Sequence, residues 1–286
     1  MQRIDDLLRN GTTLSFEYSP PRTPEALEAF RAAFADLAGL APNFSSMTYG
    51  ALGSTRTVTE ELVNGLNADY DFPTMPHLTC VGHTREELVG LITSYRDAGV
   101  QNILALAGDP PVDGNTVGDY VYAAELIALI REIGEFSIGV AAFPEVHPRS
   151  TSRAEDRQRL AAKLDLADFG MTQFFWDVRH YIDLVEELRA LGNTTPLVPG
   201  VMPMVSVPGV RRMSAMNGTA IPDALEARMA AVDGDPEATR ALGIEVAVEL
   251  STELLDYGVP GLHLYSMNSA ASVREVTDRL GLRAPA

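Results

Sequence analysis

Eight apolar stretches of six or seven residues recur along the chain: Thr13–Tyr18, Phe44–Tyr49, Met75–Cys80, Asn102–Ala107, Ser137–Phe143, Gly170–Phe175, Leu197–Met202 and Gly261–Ser266. Apolar runs of this length read as buried strands. Between them lie segments with helical spacing, among them Pro24–Leu37, Thr84–Ala98, Tyr120–Glu132, Arg153–Ala167, Arg179–Leu191 and Glu245–Tyr257. A helix between two strands returns the chain to the same end of the sheet, so the strands pair in parallel. Two architectures satisfy this alternation, a closed (β/α)8 barrel and an open doubly wound sheet. No strand is followed by a G-x-G-x-x-G turn. The chain is therefore expected to be α/β, a (β/α)8 TIM barrel forming a single domain over residues 1–286. The connection from Pro203 to Pro260 leaves room for two or three helices.

Local punctuation supports the helices. Thr23-Pro24 offers an N-cap with proline in the first turn. Thr84 and Glu87 have the spacing of a capping box. Gly99 and Gly192 stand where helices should stop.

Composition removes several functional classes. The formal net charge is −17, opposite to the basic face that nucleic acid requires. The single cysteine, Cys80, cannot form an intrachain disulfide. The N-terminal MQRIDDLLRN lacks the apolar core of a signal peptide, and no apolar run has membrane-spanning length. These features predict a soluble cytoplasmic protein with no nucleic-acid or membrane partner. They do not report an oligomeric state. Lys163 is the only lysine, the other cations being arginines, a bias that genomic composition explains.

In a barrel of this kind chemistry sits at the C-terminal ends of the strands. Those ends deliver Glu17, Thr48, Tyr49, His77, Thr79, Gly108, Asp109, Glu145, His147, Gln173, Tyr265 and Asn268. Any one of them is as readily a loop anchor as a functional group. Stability alone does not call for so many polar groups at one rim. Glu17, in SFEYSPP, points into the barrel mouth if the alternation holds. Partial desolvation there would favour the neutral acid and suit it to general acid catalysis; an arginine-paired carboxylate is the structural alternative. Asp109, in NILALAGDPP, ends a buried run and is pinned by two prolines. His77 and His147 lack metal-ligand spacing, so no metal is expected. Neither a nucleophile elbow nor a phosphate-binding P-loop occurs.

Taken in order, FEYSPPRT, MTYGALGST, HLTCVGHTREEL, NILALAGDPP, FPEVHP, TQFFWD, VPGVMP and GVPGLHLYSMN resemble the 5,10-methylenetetrahydrofolate reductase family. The matching stretches fall near strand ends and cover residues 13 to 281. Ending at residue 286, the chain is similar to the short bacterial form without a regulatory domain. The resemblance implies a (β/α)8 barrel that reduces 5,10-methylenetetrahydrofolate to 5-methyltetrahydrofolate with NADH or NADPH, usually through FAD. Glu17 matches the general acid that protonates folate N10 and opens the ring to an iminium at N5. Asp109 matches the acid beside flavin and pterin. Gln173 matches the glutamine that hydrogen-bonds folate, and Phe174, Tyr265 and Asn268 fall in the same substrate segments. Thr48, Tyr49, His77, Thr79, Gly108, Tyr122, Ala123, Glu145, His147, Asp156 and Lys163 fall in segments that line the flavin, with Lys163 matching a cation near the cofactor phosphates.

The chain departs from the family at the cofactor. Ala107-Gly108-Asp109 stands where the family usually has Arg-Gly-Asp, and the missing arginine helps hold the flavin. Loss of such a charge-assisted contact costs about 1.5–3 kcal/mol. Leu52 replaces a residue that is often small, and Ser269 follows Asn268 where an arginine is common. Arg149 is a candidate replacement phosphate partner. Weak FAD binding or none is expected, with hydride passing directly from the nicotinamide to the iminium. The alternatives are a related barrel reductase using a deazaflavin or another reduced pterin, and a non-catalytic folate-binding protein. The intact Glu17, Asp109 and Gln173 argue against the last, because a pure binder has no need of an acid.

Overall fold

The computed structural model describes residues 2–49, 54–108 and 118–282; Leu52 and Asp109 lie outside the described residues. A short helix α1 (Ile4–Asn10) precedes β1 (Thr13–Tyr18), α2 (Pro24–Ala38) and β2 (Phe44–Met47). There follow α3 (Ser54–Asp69), β3 (Thr74–Thr79), α4 (Arg85–Asp97), β4 (Asn102–Leu106), α5 (Ala123–Ile133), β5 (Ser137–Ala142) and α6 (Arg153–Leu164). The chain continues through β6 (Phe169–Phe174), α7 (Val178–Ala190), β7 (Leu197–Val201), α8 (Val207–Asn217), α9 (Asp223–Val232), α10 (Pro236–Tyr257), β8 (Gly261–Tyr265) and α11 (Ala270–Leu280). Each strand pairs in parallel with the next, and β8 closes onto β1, giving the (β/α)8 barrel that the alternation predicts.

The expected caps form. Thr23 accepts from the Ala26 amide, and Thr84 and Glu87 make the reciprocal capping box at α4. Gly99 and Gly192 take left-handed backbone just past α4 and α7. The 203–260 connection holds three helices, α8, α9 and α10. Helix α10 starts at Pro236, nine residues before the expected Glu245. Asp235 caps it by accepting from the Glu237 and Ala238 amides. Its apolar pattern is interrupted by Gly243, which lies so close to the β7–α8 connection that a Cβ there would sit 1.9 Å from the Met204 carbonyl oxygen. Close packing requires the glycine, and the glycine hides the helix from a periodicity reading.

Helix α1 closes the bottom of the barrel. The Ile4 amide donates to Asn102 Oδ1 (2.7 Å) and the Asp5 amide to Ser137 Oγ (3.2 Å), the first side chains of β4 and β5. Ile4 and Leu8 then pack with Phe44, Met75, Leu104, Phe169, Met171 and Val198 as one buried cluster that fills the lower interior. At the opposite end α8, α9 and α10 bring Val207, Leu225, Met229 and Leu242 against Phe174, Trp176 and Met202. Among the described residues no helix is long and apolar enough to cross a membrane.

Candidate active site

Alternation along each strand places the site. Phe44 and Met75 belong to the interior cluster, so Ser46 and His77, two residues on, face inward one layer higher. In the β1–β8 register Ser15 lies opposite His263 and Glu17 opposite Tyr265, while Glu17 faces Ser46 across β1–β2. A polar layer of Ser15, Glu17, Ser46, His77, His263 and Tyr265 thus sits on the apolar plug. Glu17 is partly open, with 17% of its side chain exposed.

Glu17 Oε2 lies 3.5 Å from His263 Nε2 and 3.7 Å from His77 Nε2. Burial, opposed by Glu17 and reinforced by His263, pushes His77 down to about 4, so its ring is neutral near pH 7. Burial and then the neighbouring Glu17 hold the Tyr265 phenol well above its ordinary range. The Tyr265 hydroxyl donates to the Thr172 carbonyl (3.1 Å). Its ring passes over Gly200, where a Cβ would stand 2.8 Å from it.

The His77 burial has a consequence for acid stability. The unfolded chain takes up the proton near the ordinary value of 6.5, whereas the folded protein does so only near 4. The unfolded state therefore binds more protons between these values, and stability from this group is complete above 6.5 and falls as pH drops toward 4. The full effect is on the order of 3 kcal/mol. Denaturant unfolding at several pH values in this window should show a shallower acid loss for His77→Gln than for wild type. Equal slopes would mean that His77 is not the neutral buried group.

Gln173, on β6, accepts through Oε1 from Asn217 Nδ2 (3.4 Å) and from the Phe174 amide (3.3 Å). Among the described residues its amide NH2 meets no partner. The Phe174 ring stands edge-on to Tyr265 at 6.5 Å and to Trp176 at 5.5 Å. Asn268 is placed differently from the sequence expectation. Its Nδ2 donates to the Ser19 carbonyl and its Oδ1 accepts from the Ser19 amide, so both ends clamp the β1 exit rather than facing the mouth.

Most of the expected flavin residues are already engaged by neighbouring groups of the protein. The Tyr49 hydroxyl meets His83 Nε2 at 2.6 Å, and the Thr48 amide donates to the Tyr18 carbonyl. Gly108 has φ +90, and a Cβ there would press on Thr79 at 3.1 Å. Tyr122 and Ala123 open α5, with Tyr122 exposed and Ala123 buried. Glu145 accepts from the Ala220 amide with both oxygens at 3.0 Å. His147 Nδ1 accepts from the Arg149 amide, and the His147 amide donates to Asp156. Asp156 also takes bonds from Ser150 and Arg157. Lys163 Nζ donates to the Ala141 carbonyl at 2.6 Å, and burial, opposed by Asp156, brings it down to about 8.

Sequence reasoning passed over His263, Ser15, Ser46 and Asn217. The first two carried a readable signal, since a polar residue two positions before Tyr265 or Glu17 shares its face. Ser46 needed the strand pairing, and Asn217, at the C-terminus of α8, needed the tertiary fold.

The 5,10-methylenetetrahydrofolate reductase family suggested by the motifs is also the one matched by comparison with known proteins. The family model described as methylenetetrahydrofolate reductase matches residues 2–281. A 5,10-methylenetetrahydrofolate reductase from Pectobacterium carotovorum subsp. carotovorum is 33% identical over 277 residues, covering 96% of this chain and 92% of that protein. A probable methylenetetrahydrofolate reductase (NADH) from Oryza sativa subsp. japonica is 34% identical over 299 residues, 99% of this chain but 50% of that protein. Among solved structures, an uncharacterized protein from Clostridium thermocellum that binds two copies of 5-methyl-5,6,7,8-tetrahydrofolic acid superposes with a TM-score of 0.68 at 15% identity, covering 98% of this chain and 100% of that one, a likeness of fold.

Proposed function

This chain belongs to the methylenetetrahydrofolate reductase family, oxidoreductases that reduce methylenetetrahydrofolate to methyltetrahydrofolate, and we propose that Glu17 is the acid of that reaction and a reduced nicotinamide its direct hydride donor. The observation that carries this reading is the position of Glu17, the partly open carboxyl of the inward polar layer, flanked by two imidazoles and a phenol. Its proton passes to folate N10. The bond from the methylene carbon to N10 breaks with its electron pair going to N10, leaving an iminium between the methylene and N5. Hydride from NADH or NADPH adds to the methylene carbon, and the N5 methyl group and the oxidised nicotinamide result. Glu17 regains its proton from water. The printed name of the rice relative supports NADH as donor.

The free amide end of Gln173 is assigned to a polar edge of the pterin, and Phe174 and Tyr265 to the wall against which it lies. Asp109 keeps its assignment beside the pterin, where a negative charge favours the cationic intermediate.

The described residues do not fit a tightly held FAD. Cations free to face a diphosphate strengthen its binding. Lys163 is turned to the Ala141 carbonyl. Arg157 is enclosed by Asp156, Glu187 and the carbonyls of Phe143, Pro144 and Glu145. Ala107 supplies no charge. Arg149 alone of this group leans over the segment, with Nη2 3.5 Å from the Gly108 carbonyl. The reading is therefore weak FAD binding or none.

The test uses flavin-free protein, NADH carrying deuterium at the transferred position, and methylenetetrahydrofolate. Direct transfer delivers one deuterium to each methyl group. A label lost to water, as exchange at a reduced flavin nitrogen would cause, contradicts direct transfer.

A further inference from the structure

His263 is 1% exposed and was not among the residues expected at the site. Its ring lies between two hydroxyls and the acid. Nδ1 is 2.8 Å from Ser15 Oγ, while Nε2 is 3.3 Å from Ser46 Oγ and 3.5 Å from Glu17 Oε2. Ser15 Oγ also donates to the Leu262 carbonyl at 3.2 Å. A hydroxyl has one proton. If that proton goes to Leu262, the Ser15 oxygen accepts from the ring and the imidazole proton sits on Nδ1. In this tautomer Nε2 carries a lone pair. A lone pair meets a carboxylic O–H favourably and a bare carboxylate oxygen unfavourably. The Phe44 ring lies parallel to the imidazole, with centroids 6.1 Å apart.

We propose that His263 is a positioning residue for Glu17: keyed by Ser15, it presents the Nε2 lone pair to Oε2 and holds the carboxyl of the acid form in one orientation at the floor of the mouth. This rests on Glu17 being the general acid. The other groups facing Glu17 among the described residues are Ser46, whose hydroxyl also meets His263 Nε2, His77 and Tyr265. Among the described residues His77 Nε2 is buried without a hydrogen-bond partner, and at 3.7 Å it stands farther from the carboxyl than His263 Nε2 at 3.5 Å. The Tyr265 proton is directed to Thr172. Of the two imidazoles, His263 is thus the one keyed by hydrogen bonds of its own.

The test compares His263→Asn, His263→Gln, Ser15→Ala and Glu17→Gln with wild type. Asparagine keeps a polar atom near the Nδ1 position for Ser15 but does not reach Glu17; glutamine reaches the Nε2 position. His263→Asn should lose about tenfold or more in kcat, part of the 10²–10⁴ that a positioned acid supplies, with KM for the folate held within about twofold. Its solvent deuterium isotope effect on kcat should rise, because proton transfer then limits turnover. His263→Gln should recover part of the loss. Ser15→Ala, which leaves the imidazole in place but frees its tautomer, should show the same isotope signature with a smaller loss and serves where the His263 variants do not fold. A folded His263→Asn with wild-type kcat and isotope effect overturns the proposal. So does an equal loss in the asparagine and glutamine variants that tracks a fall in melting temperature. If Glu17→Gln remains active, the underlying assignment of the acid fails; if it is inactive while His263→Asn is unimpaired, only the present inference fails.

Discussion

Glu17→Gln is expected to lower reductase turnover by about 10²–10⁴ while leaving fold and folate binding in place. The amide has nearly the shape of the carboxyl, and its neighbours at 3.5 and 3.7 Å are imidazoles that can meet either group. Packing around the site should survive, because Ser15, Ser46 and His263 are tied to one another and to the Leu262 carbonyl independently of Glu17. What glutamine lacks is an acidic proton. Without it folate N10 leaves as a poor leaving group and the methylene stays locked in the ring. The check is kcat by nicotinamide oxidation, beside the dissociation constant for methyltetrahydrofolate and the melting temperature. A variant that keeps more than about a tenth of wild-type turnover, against the loss expected of a general acid, would remove Glu17 from the mechanism.

The contrast between Glu17 and His263 shows what the sequence reveals of such a site. Glu17 was legible because a carboxylate near the end of an otherwise apolar strand has to face the open mouth or pay heavily for burial. The barrel was legible for a similar reason, since its strands are buried on both faces and read as unbroken apolar runs. His263 was not. Its meaning depends on a register, Ser15 beside His263, that joins strands at opposite ends of the chain. Asn268 has contacts that the sequence did not show. It stands at a strand end like a ligand-binding residue, yet its left-handed backbone (φ 57) turns the amide onto Ser19. Lys163 is similar: a lone lysine in a cofactor segment suggested phosphate, but its stem carries Nζ beneath the end of β5 to the Ala141 carbonyl. Periodicity reports the face of an element, not where a long side chain ends. Helix α1, only seven residues long, was too short to show a period at all.

Purified protein is expected to be colourless or substoichiometric in flavin and to oxidise NADH with methylenetetrahydrofolate all the same; Ala107→Arg is expected to raise FAD affinity. The gain should be roughly ten- to a hundredfold, the equivalent of one charge-assisted contact of about 1.5–3 kcal/mol. Residue 107 directly follows β4, and its carbonyl accepts from the Val81 amide, so a new guanidinium enters from a fixed point. Arginine rather than lysine is the substitution to make, because its planar fork matches phosphate and ring oxygens in pairs. The nearby Arg149 at the Gly108 carbonyl adds like charge, which a bound diphosphate offsets and which an empty site would feel as repulsion. The overall charge of −17 works against a dianionic cofactor in wild type and variant alike, so the difference between them isolates the local contact. Absorbance near the flavin bands after dialysis against FAD, with titration of both proteins, gives the measurement. A yellow wild-type protein that keeps one flavin per chain through dialysis, and loses its activity when the flavin is stripped, would restore a flavin-mediated route and remove the direct one.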